Sequence, residues 1–64
     1  MKQHINSLST TLQNNGYDLY GSFNEGDFQH DIFTCLSGHY SGNVCDIYYN
    51  YNTGEVIKIE YSKQ

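Results

Sequence analysis

The stretch VCDIYYNYNTGEVIKIEYS, residues 44–62, decides the fold. Two runs rich in β-branched and aromatic residues, 44–51 and 55–62, flank Asn52-Thr53-Gly54, a turn that suits a type I plus glycine-bulge hairpin. Folding one run back on the other sets Tyr49 near Ile57, Ile47 near Ile59 and Cys45 near Tyr61. These odd positions make one face of the hairpin apolar. The even positions carry Asp46, Tyr48, Lys58 and Glu60, which reads as a face turned to solvent.

Upstream of the hairpin, two more strands are predicted. Residues 17–23 put Leu19 and Phe23 on the odd face and Asp18, Tyr20 and Ser22 on the other, and the turn Asn24-Glu25-Gly26-Asp27 follows. Residues 28–37 form the second strand, and 38–43 a loop. The second strand is ambiguous, because Phe28, Ile32 and Leu36 compete with Phe33 and Cys35 for the inward side. A bulge, or burial of both faces by a dimer partner, would resolve the conflict. Before the strands, residues 3–15 read as a helix. Ile5, Leu8 and Leu12 recur on one side with Met1 extending the stripe, and Asn15-Gly16 supplies a stop. Asn6, Ser7, Ser9, Thr10 and Thr11 are mediocre helix formers, so this helix depends on packing its apolar side against the sheet. The expected fold is therefore α+β, an αββββ arrangement of one N-terminal helix on a four-stranded antiparallel meander, in a single domain of residues 1–64.

Charge narrows the partners. No lysine or arginine occurs between Lys2 and Lys58, while Asp18, Glu25, Asp27, Asp31, Asp46 and Glu55 all fall in that interval. A surface so poor in cations cannot hold a phosphate backbone or adhere to an anionic membrane, which leaves no direct nucleic-acid or membrane role. It suits a basic protein surface instead. The formal net charge of −4 is modest for mimicry of a DNA duplex, and the carboxylates are interleaved with tyrosines rather than set in rows. No run approaches the roughly 20 apolar residues of a membrane span. The first residues hold one cation and no apolar signal-peptide core. A complete, cytoplasmic gene product with reduced cysteines is the expectation.

Candidate chemistry is thin. Strand pairing around the 38–43 loop would set Cys35 about opposite Cys45, within reach of a disulfide, although a reducing compartment favours two buried thiols. Cys35, His39 and Cys45 have zinc-ligand chemistry, with His30 or Asp46 available as a fourth, but their spacing matches no zinc-knuckle pattern. A cysteine, a histidine and Asp31 or Asp46 can be drawn as a triad, yet His30 and Asp31 point to opposite faces of a strand and nothing supplies an oxyanion hole. No cofactor and no catalysis are expected. Tyrosines are the more informative group, seven in 64 residues, because tyrosine supplies a rigid contact area with a polar tip. Asp18, Tyr20, Glu25, Asp31, Tyr40, Asp46 and Tyr48 are the candidate docking residues.

The segment from Tyr48 to Ile59, with its Thr53-Gly54-Glu55-Val56 turn, resembles the closing hairpin of PepSY-type domains, in which a helix precedes the strands. PepSY domains are mostly secreted or membrane-attached, a departure from the N-terminus here. The order of helix, a strand opening Gly16-Tyr17-Asp18-Leu19, and an acidic meander is similar to several phage-encoded inhibitors, some anti-CRISPR proteins among them. That likeness is one of size, acidity and layout. It implies an inhibitor of a host nucleic-acid-handling or defence protein. The other reading is a structural module that forms homodimers through its aromatic sheet faces.

Overall fold

The fold is described from a computed structural model for residues 3–63. Helix α1 (Ile5–Asn14) precedes strands β1 (Tyr17–Glu25), β2 (Phe28–Cys35), β3 (Asn43–Asn50) and β4 (Val56–Lys63). The strands pair antiparallel in the order β1-β2-β3-β4, so the expected αββββ meander is the fold. Met1, expected to extend the helical stripe, lies outside the described residues.

The helix is held at both ends. His4 caps its start, Nδ1 accepting the Asn6 N–H at 3.0 Å. At its end the Gly16 N–H donates to the Gln13 carbonyl, and Gly16 takes φ +89°, a left-handed conformation open to glycine. The Thr10 and Thr11 hydroxyls fold back onto the carbonyls of Asn6 and Ser7, a use of side chains that adds little to helix stability. Tertiary anchoring does more. The Ile5 N–H donates to the Gly54 carbonyl at 2.8 Å and the Val56 N–H to the Gln3 carbonyl at 2.9 Å, a short antiparallel bridge of His4 to Glu55. The helix thus starts on the β4 edge and ends where β1 begins, crossing the sheet diagonally.

Under that diagonal lies the core: Ile5 and Leu12 from the helix, then Tyr17, Phe33, Cys35, Cys45 and Ile47 from the sheet. Fully burying a side chain such as Phe33 or Ile47 stabilises by about 1.5–3 kcal/mol. The second strand resolves in favour of Phe33 and Cys35. Phe28 and Leu36 are exposed, and Ile32 is half-buried on the opposite face.

Three expectations need correction. Ile47 does oppose Ile59 and Cys45 does oppose Tyr61, but Tyr49 pairs with Val56, because Ile57 is an extra bulged residue. The connecting loop accordingly has four residues, 51–54. The Asn50 N–H bonds the Glu55 carbonyl, and Asn50 Oδ1 accepts the N–H groups of Asn52 and Thr53. Secondly, Cys45 opposes Phe33, which leaves Cys35 two positions out of register, and both cysteines are free buried thiols. Thirdly, β1 carries a bulge: Leu19 pairs with Phe33 and Gly21 with Ile32, so Tyr20 has no partner. Beyond it the alternation inverts. Ser22 and Asn24 turn to the helix side, and Phe23, expected inside, goes to the other face at 54% exposure.

Gly54 has φ +77°, and a Cβ there would stand 2.3 Å from the His4 ring, whereas at Gly26 (φ +63°) nothing lies within 4 Å. Gly54→Ala should therefore cost about 2–3 kcal/mol, combining left-handed strain with loss of the His4 cap, and Gly26→Ala only about 1 kcal/mol. Urea unfolding of the two variants checks the difference.

Candidate binding face

The helix covers one side of the sheet, and the other side is open. Strand alternation and register set Phe23, His30, Tyr48 and Lys58 in one row across all four strands. The His30 ring stacks on Tyr48, with centroids 4.1 Å apart at 15°, and Phe23 lies 6.1 Å from His30. His30 Nε2 sits 2.9 Å from Asp46 Oδ1. Lys58 Nζ lies 5.5 Å from the Tyr48 ring centre and 2.8 Å from Glu60 Oε1, and the hydrogen bond to Glu60 is the main reason its pKa is raised. Aromatic contact and charge pairing thus tie β1, β2, β3 and β4 together on the exposed side.

Next to this row is a shallow hollow of about 510 Å³, walled by Tyr20, Ile32, Leu36, Val44 and Asp46. Val44, at an even position expected to face solvent, is in fact buried there. Tyr20 is 76% exposed at the rim, because the β1 bulge lifts it out of the ladder. A second, smaller hollow is lined by Phe23, Glu25, Phe28, His30 and Tyr48.

The predicted docking residues divide accordingly. Asp18, Tyr20, Glu25, Asp46 and Tyr48 belong to the open face or its rim, with Asp18 opposite Thr34. Asp31 does not. It is 7% exposed on the helix side, its two oxygens accepting from the hydroxyls of Ser22 and Tyr49. Gln29 donates to Ser22, and Asn24 to Gln29, completing a polar corner that the diagonal helix leaves uncovered. Asp31 is therefore corrected from a docking residue to a structural one. Tyr40 lies on the helix side as well, its ring 6.3 Å from Tyr17 and edge-on to His39. It lines a separate cleft with Thr11, Leu12, Asn15, Tyr17 and Tyr61.

His30, Phe23 and Lys58 join the site without having been singled out as docking residues. For His30 the opposition to Asp31 on the strand was a usable signal; for Phe23 the bulge hid it. Among the described residues no three His, Cys, Asp or Glu side chains come together to hold a metal. Burial pushes the Cys45 thiol upward, with the nearby Asp46 adding to it and a hydrogen bond from Tyr61 opposing it, so the thiolate is suppressed at neutral pH. No helix among the described residues is long and apolar enough to cross a membrane. Set beside known protein families, curated proteins and solved structures, the chain matches none of them.

The polar corner has a pH signature. Burial, then the hydrogen bond to Asp31, push the Tyr49 phenol from 10.0 to about 12. The folded state then holds that proton more tightly than the unfolded chain. This stabilisation is complete below pH 10 and is lost as pH rises through 12. Tyr49→Phe should cost about 1–2 kcal/mol at neutral pH, by removing one of two donors to a buried carboxyl. It should also flatten the alkaline fall in melting temperature. A variant as pH-sensitive as the parent would assign that fall to other groups.

Proposed function

We propose that this chain is a small non-catalytic binding protein whose open sheet face docks on a basic protein surface and occludes it. The observation that supports the reading is the hollow on that face, with the Asp46 carboxylate in its wall, Tyr20 on its rim and no cationic side chain among its described lining residues. A lysine or arginine from a partner would meet a carboxylate in partly desolvated surroundings and an aromatic ring to lie against. Tyr48, locked by its stack on His30, is a preorganised anchor, and Asp18 and Glu25 extend the negative field around it. Lys58 does not oppose this, because Glu60 is its close partner.

Basic protein surfaces commonly serve to grip nucleic acid, so the partner class we infer is a nucleic-acid-handling protein. The setting consistent with the layout is a cytoplasmic phage or mobile-element inhibitor that blocks a host enzyme or defence complex in the manner of anti-CRISPR proteins. A homo-oligomerising module, the alternative reading, would bury the same open face.

The test has two arms. Tagged protein should capture a basic nucleic-acid-binding protein at low salt, and duplex DNA should compete for it. Affinity should fall steeply as salt rises, Tyr48→Ala should cost about 2 kcal/mol, and each single Asp→Asn on the open face less than that. Asp31→Asn should lower thermal stability and leave affinity nearly unchanged. Binding that ignores salt, or that tolerates Tyr48→Ala, overturns the reading.

A further inference from the structure

Strand β4 is the last strand of the sheet, and among the described residues none pairs with its outer side beyond Val56; its sequence is charge-palindromic. Around Ile59 stand Lys58 and Glu60, and outside them the exposed Ile57 (56%) and Tyr61 (64%). Both cations among the described residues, Lys58 and Lys63, lie on this one strand of an otherwise acidic protein. An unpaired edge of this length presents a row of backbone donors and acceptors ready for another strand.

We infer that β4 pairs antiparallel with β4 of a second copy of this chain, in a register centred on Ile59. The geometry leaves few choices. A two-fold axis perpendicular to the sheet keeps each face on its own side, so along the regular part of β4, from Lys58 on, residues can oppose one another only when their numbers share parity. Centring on Lys58 or on Glu60 would place that charged residue against its own counterpart, which is destabilising. Centring on Ile59 places Lys58 opposite Glu60 of the second copy and Glu60 opposite Lys58 of the second copy. Ile59 then meets its counterpart. Slippage toward the start of the strand is blocked, because Gln3 and His4 already occupy the outer side of β4 at Glu55 and Val56. The bulge at Ile57 marks the same limit.

The other edge lacks these features. Strand β1 carries Asp18 and Glu25 without a cation, and its bulge at Tyr20 interrupts a flat pairing surface. With a formal net charge of −4, two copies repel one another over most of their surface, and β4 is where matched charges meet. The product is a continuous eight-stranded sheet with both helices on one side. Both open faces stay uncovered, so this dimer is independent of the docking proposal and differs from one that buries the open face.

Sedimentation equilibrium from roughly 1 µM to 1 mM tests the pairing on the parent, Lys58→Glu, Glu60→Lys and the double exchange, with circular dichroism confirming that each is folded. The parent should dimerise. Each single reversal should weaken the dimer by about tenfold or more, although one makes the chain more acidic and the other less so. The double exchange should restore it. A parent that stays monomeric, single reversals that leave association intact, or a folded double exchange that fails to recover it each overturn the inference.

Discussion

Everything on this protein's surface depends on which side of β2 faces the helix. Phe33 and Cys35 face it, buried against Ile5, Leu12 and Ile47. With a two-residue period, that choice carries Asp31 inward with them and sends His30 and Ile32 outward. A one-residue slip would expose Phe33 and place Ile32 and His30 in the core. The cost of leaving Phe33 in water outweighs any preference of the neighbouring polar residues. The inward placement of Asp31 follows from this, and so does the need for Ser22 and Tyr49 to satisfy it.

The diagonal helix explains why such a carboxyl is tolerated. Its start is stitched to Gly54 and Val56 and its end leads directly into Tyr17, so it cannot lie squarely over all four strands. The corner it misses is filled by Asn24, Gln29, Ser22, Asp31 and Tyr49, each bonded to the next. Polar groups there reach partners and partial solvent, whereas apolar ones would be left without a cover. The fold thus separates its carboxylates into two kinds. Asp31 serves the structure, and Asp18, Glu25 and Asp46 remain available at the surface.

On the open side the same separation shapes the proposed docking face. His30 and Tyr48 are fixed by stacking, and Asp46 by its contact with His30, so the face is preorganised rather than a loose set of exposed side chains. The two bulges add the detail. One projects Tyr20 and turns Phe23 outward, and the other ends the regular pairing of β4 at the point where the N-terminal segment takes over its edge.

Element order and type were legible in the residues alone. The three- and four-residue spacing of Ile5, Leu8 and Leu12, the glycine after Asn15 and the alternation in residues 44–62 report local periodicity, which each segment carries by itself. The pairings of Ile47 with Ile59 and Cys45 with Tyr61 were legible for the same reason, since a hairpin brings near neighbours together. Phe23, Asp31, Tyr40 and the spacing of Cys35 from Cys45 were not. A bulge is one inserted residue: the one at Tyr20, beside Gly21, inverts every position of β1 beyond it, and the one at Ile57 changes the partner of Tyr49. The inward side of β2 was decided by competition among Phe28, Ile32, Phe33 and Leu36 for a space that exists only once α1, β1 and β3 have closed around it. Local pattern determined what the elements are; packing between distant segments decided which side chains the folded protein shows.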